Sequence, residues 1–378
     1  MVSADSRPFP TTLLEQTPVE RLSYFQRITV PHQKLRVALA TLLMNIESPI
    51  DLSVFFVVGP AGVGKTTLRR RAERLLLESV LPTMLHSPSQ LPVAGIEAVP
   101  AEKGTFSYKD YYLRVLEALN PLQSQAKMVG DDMESQVNKA PYYYPGFQGK
   151  QPETLRRILE QAMKRYQLKA FMIDEAQHLV LVAGGKQMLH QMDWLKSIAN
   201  LSETIHVLFG TYDLLNCCTL SGQVSRRSDD IHLARYLPEQ SEDLEEFRRV
   251  IQTFQEHLPL LEEPNLMQYQ DYLLEYSIGC VGILNTWLTK ALRMALAEDA
   301  KTLHLQHLQQ NEYSSARRKQ IRQEAESGEK RWQKQMTQGR VTKPELADSA
   351  NLAHPPASLR PGQRQAKRDP VGATPHAS

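Results

Sequence analysis

Eight consecutive residues, Gly59-Pro60-Ala61-Gly62-Val63-Gly64-Lys65-Thr66, follow the spacing G-x-x-x-x-G-K-[ST]. Glycines at those positions let backbone N–H groups turn inward around a phosphate. A helix starting at the lysine adds the positive end of its dipole. Lys65 would neutralise the β- and γ-phosphates of a nucleotide, and the Thr66 hydroxyl would hold Mg²⁺, with Thr67 beside it in the same cradle. The cofactors expected from this pattern are ATP and Mg²⁺.

A second group, Phe171-Met172-Ile173-Asp174-Glu175, places Asp174 109 positions after Lys65. An acidic pair at the tip of an apolar strand is costly unless a cation or water meets it. Asp174 would hold the metal, directly or through water. Glu175 would orient and deprotonate an attacking water, as phosphoryl transfer requires. Thr211 ends the next apolar run and is placed to touch the γ-phosphate or that water. Gln223-Val224-Ser225-Arg226-Arg227-Ser228 offers paired arginines; one of the two, Arg227 before Arg226, is the candidate for a finger reaching a neighbouring subunit's phosphate.

These groups need elements to carry them. Val54-Phe55-Phe56-Val57-Val58, Ala170–Ile173 and Ile205–Phe209 are short continuous apolar runs that end in glycine or acidic residues, the pattern of fully buried parallel strands. Val93–Val99 is a further strand. Leu35, Leu39, Leu42 and Ile46 share one helical face, and helices are also predicted from about Lys65, over Tyr108–Leu119 and over Pro152–Tyr166. Strands alternating with helices predict a parallel α/β sheet. From Asp243 to about Leu308 every segment reads as helical. The arginines Arg69, Arg70 and Arg71 are expected on an exposed helix face or at a subunit contact.

Taken together, Gly59–Thr66, Ile173-Asp174-Glu175-Ala176-Gln177-His178-Leu179, Phe209-Gly210-Thr211 and Gln223–Arg227 resemble an AAA+ ATPase. More narrowly they are similar to the TnsC/TniB class of ATP-dependent regulators of DNA transposition. Gly279-Cys280-Val281-Gly282-Ile283-Leu284-Asn285-Thr286-Trp287-Leu288 resembles the lid signature of that class. The likeness covers roughly residues 28–310. It implies a P-loop AAA+ parallel sheet flanked by helices (28–238) and a small all-α lid (239–310); outside it, weak periodicity makes residues 1–27 an irregular N-terminal arm, and composition makes 311–378 a basic, largely disordered tail. It further implies a slow, regulatory ATPase that self-assembles on double-stranded DNA as a ring or helical filament. Such a protein links a target-selector protein to transposase subunits, including in CRISPR-associated transposons. Lys103, in the loop after the second strand, best matches the lysine of the class that contacts the DNA backbone, and Lys150 is the second matching position. Two features depart from the pattern: Ile283 stands where many AAA+ lids carry an arginine, and residues 120–150 look inserted.

Composition narrows the field. Asn311–Ser378 holds 13 basic and 7 acidic side chains in a chain whose net charge is only +2, so the basic excess sits in the tail. By composition that tail reads as a nonspecific DNA-binding arm or a solvated linker; the resemblance favours instead a peptide that docks on transposase, with Trp332 as its anchor. Three cysteines, two of them adjacent, exclude a disulfide framework and fit a cytoplasmic location. No membrane span or signal peptide is expected. Two other classes share the core: signalling switch ATPases of the STAND type, which usually continue into a repeat or effector domain, and replication initiators or helicase loaders, which usually add a winged helix.

Overall fold

The structure, a computed structural model, describes residues 7–50, 53–84, 90–100, 106–119, 147, 149–180, 185–216 and 230–340. The elements in chain order are α1 (Pro18–Arg27), α2 (Gln33–Glu47), β1 (Val54–Val58), α3 (Lys65–Met84), β2 (Val93–Glu97), α4 (Tyr108–Ala118) and α5 (Pro152–Arg165). They continue with β3 (Ala170–Asp174), the one-turn α6 (Gln177–Val180), α7 (Gly185–Ser202), β4 (Ile205–Gly210) and β5 (Ile231–His232). Five helices complete the described chain: α8 (Ser241–His257), α9 (Gln270–Tyr276), α10 (Val281–Ala297), α11 (Leu305–Gln310) and α12 (Ser315–Arg340).

The strands form one sheet in the order β2-β3-β4-β1-β5. Every pairing is parallel, with Val54 opposite His206, Ala170 opposite Ile205 and Val93 opposite Ala170. Every residue of β1, β3 and β4 is buried, which is why these strands read as unbroken apolar runs rather than alternating ones. Phe55, Phe56, Phe171 and Phe209 are almost wholly withdrawn from water. Each such ring contributes about 1.5–3 kcal/mol of transfer free energy. Because all strands run the same way, the carboxyl ends of β1, β3 and β4 open on one edge, where a parallel sheet binds its ligands. The α/β expectation therefore holds. Strand β5, two residues long, was not anticipated.

A second apolar cluster joins α8, α9, α10 and α11 through Phe247, Phe254, Leu273, Leu284, Trp287 and Leu308. This is the expected helical lid. Part of the segment expected to be an irregular arm belongs to it. Thr17 and Glu20 form a reciprocal capping box that starts α1, worth about 1 kcal/mol. From α1, Phe25 packs on Phe254, and the Arg21 guanidinium donates to the carbonyl of Pro259. Arg7 donates to Leu260 O at 2.6 Å.

The structure also corrects the reading of the tail. Residues 315–340 form a 26-residue helix, α12, that docks against the α/β domain. Trp332 does not wait for a partner: it packs on the sheet's own core and stacks on His232, centroid to centroid 5.0 Å at 28°. Residues 341–378 lie outside the described residues. Among the described residues, no helix is long and apolar enough to cross a membrane.

Candidate phosphate site

The loop between β1 and α3 carries the P-loop residues at the carboxyl edge of the sheet. Gly59, Pro60 and Val63 are buried, whereas Ala61 and Gly62 are exposed. Gly64 has φ +110°, and a Cβ there would meet nothing within 4 Å, so the loop leaves an open cradle. Lys65 begins α3. Its amine is buried and donates to Gly59 O at 3.0 Å and Pro60 O at 2.9 Å, partners that a phosphate can replace. Burial pushes the amine below the ordinary lysine range, opposed by the nearby charges of Glu175 and Asp174. Thr66 and Thr67 follow, half-buried in the first turn of the helix.

Asp174 ends β3 and is 2% exposed. Its Oδ1 accepts the Glu175 N–H at 3.0 Å, and its Oδ2 accepts Arg69 Nε at 3.3 Å. Arg69 also holds Glu73 at 2.6 Å. The expectation of an exposed arginine face is therefore right for Arg70 and Arg71 and wrong for Arg69. Residues 65, 69 and 73 fall on one side of α3 at intervals of four, and that side faces the acidic strand. An oxygen donor set of this kind fits a hard divalent cation, with the Thr66 hydroxyl and the Asp174 carboxylate as the residues that would hold Mg²⁺.

Glu175, which follows β3, takes φ +49°, in the left-handed region. Its Oε2 accepts a hydrogen bond from Gln177 Nε2. The other end of that amide, Oε1, accepts the Thr211 N–H at 3.3 Å. Gln177 thus links the acidic residue after β3 to the threonine after β4. Sequence reading missed it, although it lies in the quoted Asp174–Leu179 motif; no local rule marks a glutamine as a bridge between strand ends. Thr211 Oγ1 donates to Asp213 Oδ2 at 3.2 Å and starts the 3-10 turn Tyr212–Leu214.

The lid closes the other side. The chain enters α10 through Gly279, at φ +69°, and the first turn of α10 abuts the P-loop. A Cβ on Gly282 would sit 2.6 Å from Gly62 O, and one on Gly62 would sit 2.5 Å from Ile283 Cγ1. Ile283, 6% exposed, therefore covers the P-loop with an apolar side chain where a lid arginine was looked for.

The remaining candidates scatter. Lys150 is half-buried in the turn before α5, its backbone N–H on Phe147 O at 3.0 Å. Lys103, Arg226 and Arg227 lie outside the described residues. The stems of the Lys103 loop are described: Ala98 N–H donates to Asp174 O at 2.8 Å, and Phe106 meets Trp194 edge to face at 5.6 Å. That loop leaves the same sheet edge as Asp174.

Residues 52–218 match the AAA domain family, and the five-stranded parallel sheet with its P-loop is the AAA+ arrangement expected from the motifs. No curated protein is significantly similar in sequence to this chain. Among solved structures, the Aeropyrum pernix ORC2 protein in its ADP form is similar at 12% identity and TM-score 0.45, over 76% of this chain and 71% of that one. Drosophila ORC bound to DNA gives 12% and 0.45, over 82% and 68%. Domain III of the Thermotoga maritima replication initiation protein DnaA gives 16% and 0.37, over 76% and 94%. At these scores the likenesses carry no functional weight.

Proposed function

We propose that the chain is a Mg²⁺-dependent ATPase that works as a DNA-bound oligomer regulating DNA transposition. The observation that carries the ATPase reading is the convergence of the P-loop, the Asp174–Glu175 pair and Thr211 on one edge of three adjacent parallel strands. In this reading the P-loop N–H groups and Lys65 bind the phosphates, and Thr66 and Asp174 hold Mg²⁺, which when bound neutralises phosphate oxygens. Glu175 takes the proton of the attacking water, Gln177 holds that carboxylate beside β4, and Thr211 senses the terminal phosphate. Arg227, with Arg226 as its alternative, acts on a neighbouring subunit's nucleotide. The transposition reading rests on the Asp174–Leu179 motif and the Gly279–Leu288 lid signature. It assigns Lys103 and Lys150 to the DNA backbone, and transposase and a target selector as protein partners.

The test is direct. Negative-stain imaging with long duplex DNA should give rings or filaments with ATP and none without nucleotide. Lys65→Ala should lose ATP binding, because the phosphates lose a charge-assisted partner in a preorganised cradle. Unchanged ATP affinity in that variant removes the central assignment. ATP binding without any assembly on DNA removes the finer one.

A further inference from the structure

Arg235 lies on the segment that leaves β5 and enters the lid. That segment is fixed on both sides. Leu233 N–H donates to Val58 O at 2.9 Å, one residue before the P-loop begins. Tyr236 N–H donates to Gly279 O at 2.9 Å, at the entry to α10. From below, the Lys34 amine of α2 donates to the Arg235 carbonyl and to Asp243, each at 2.7 Å. Arg235 therefore stands at the seam where the P-loop strand meets the lid.

Its guanidinium is 9% exposed and is held from outside the α/β domain. Nε and Nη2 grip the two carboxylate oxygens of Glu329, on α12, at 2.8 and 3.1 Å, and Nη1 faces Ile278 O at 3.5 Å. This fork geometry is the one arginine uses equally for carboxylates and phosphates. Cys280, at the entry to α10, is fully buried, which pushes its thiol up to about 12, opposed by the charges of Arg235 and Lys65.

We propose that Glu329 is a stand-in for phosphate: the terminal phosphate of a bound nucleoside triphosphate competes with it for Arg235, so that triphosphate binding loosens α12 from the sheet edge. This deepens the nucleotide reading above and rests on it. The lid side chain packed on Gly62 of the P-loop is the apolar Ile283, whereas Arg235, at the seam, holds a carboxylate that a phosphate can replace; Arg69 is committed to Asp174 and Glu73. A terminal phosphate offers more negative charge and one more oxygen than a carboxylate.

The first half of α12 is held by the lid, where Arg318 lies over the Tyr276 ring at 3.9 Å and Arg322 donates to Glu275 O at 3.2 Å; the half that faces the sheet has few contacts besides the fork. Trp332 stacks on His232, Gly328 lies on the Tyr212 ring, and Gln335 donates to Leu215 O at 3.2 Å. The Arg331–Asp213 pair is long, 3.8 Å, and 44% exposed at both ends, so it adds little. Loss of the Arg235–Glu329 fork thus removes the main polar tie of the sheet-facing half of α12. The helix sits on Tyr212, next to Thr211, whose N–H is tied through Gln177 to Glu175. Its position is in this way connected to the catalytic carboxylate.

The experiment follows hydrogen exchange of residues 315–337 in the full chain, with Mg²⁺ and either no nucleotide, ADP or a slowly hydrolysed ATP analogue. A titration with a fluorescent ATP analogue runs in parallel. With the ATP analogue, but not with ADP, exchange should speed up roughly 10- to 100-fold, the range for losing a charge-assisted hydrogen bond. Glu329→Gln should exchange fast in all three states and bind the ATP analogue more tightly. Arg235→Gln should show the same exchange with and without the analogue. Triphosphate binding that leaves α12 exchange unchanged overturns the inference, as does Glu329→Gln with unchanged affinity. If the wild-type chain binds no nucleotide, the ATPase reading falls and takes this inference with it.

Discussion

Replacing Gly328 by alanine sets two effects of opposite sign against each other. In an isolated helix, alanine is better than glycine by about 1 kcal/mol, so α12 itself gains. Docked, Gly328 is buried against Tyr212, and an added Cβ would lie within 2.7 Å of Tyr212 Cε2 and closer still to Cδ2 and Cγ. Ordinary carbon contacts are about 3.5–4.0 Å, so the ring or the helix must give by about 1 Å or more. The ring has little freedom. Tyr212 is 3% exposed, and its hydroxyl pairs with His232 Nε2 at 2.8 Å. Overpacking of this kind costs about 1–3 kcal/mol, more than the helix gains, so α12 should lift. Lifting also parts Trp332 from His232 and Glu329 from Arg235. Far-ultraviolet dichroism should be unchanged or slightly more helical, while hydrogen exchange across 315–337 accelerates and Trp332 emission shifts toward that of a solvated indole. Exchange as slow as in the parent chain, or slower, would refute the packing argument and leave the helix gain as the winning term.

Glu175→Gln should keep ATP binding and slow hydrolysis by on the order of 10²-fold or more, since an amide cannot act as base; turnover at the parent rate shows that Glu175 is not the base. Arg227→Ala should bind ATP as a dilute protein yet lose DNA-stimulated hydrolysis, and mixing it with Glu175→Gln subunits should restore part of the rate, because some interfaces then pair an intact Arg227 with an intact Glu175. Co-assembly without any restored rate refutes a role in trans. Burial holds His206 neutral and pushes it down to about 4, whereas the unfolded chain takes up that proton near 6.5. Its contribution is therefore fully present above pH 6.5 and is lost as the pH falls from 6.5 toward 4, at up to about 1.4 kcal/mol per pH unit. Urea midpoints over this range should flatten by about one proton in His206→Phe, and an unchanged slope contradicts the assignment.

The P-loop, Asp174, Glu175 and Thr211 were legible because each combines a local residue pattern with a strand that reads from its own apolar run. The sheet followed from the same runs. What stayed hidden depends on partners distant in sequence. Arg235 and Glu329 are 94 positions apart, and nothing local marks them as a pair. The docking stripe of α12, Ala325, Gly328 and Trp332, has helical spacing, but it is only three residues wide in a segment dominated by Arg, Gln, Glu and Lys. Composition therefore suggested an irregular tail. Arg69 differs for another reason: three consecutive arginines look alike in sequence, and only the helical phase shared with Lys65 separates the half-buried one from its exposed neighbours. The start of α1 is marked by Thr17-Pro18-Val19-Glu20, but the residues before it lack the periodicity that would set it off from an irregular arm.

The lid is built from both sides of the α/β domain in the chain. Phe25 and Val30 share a core with Tyr236, Phe247 and Phe254, and Arg7 and Arg21 reach carbonyls 253 and 238 residues onward. At about 5–20 residues per second on the ribosome, the arm emerges roughly 10–50 s before those carbonyls exist. During that interval its apolar face has no native partner, and the whole α/β domain must pass through before the lid core can close. A fusion or deletion placed ahead of Pro18 would therefore act on the packing of a helical unit more than 200 residues downstream, and its effect would show in the folding rate of the lid before it showed in the sheet.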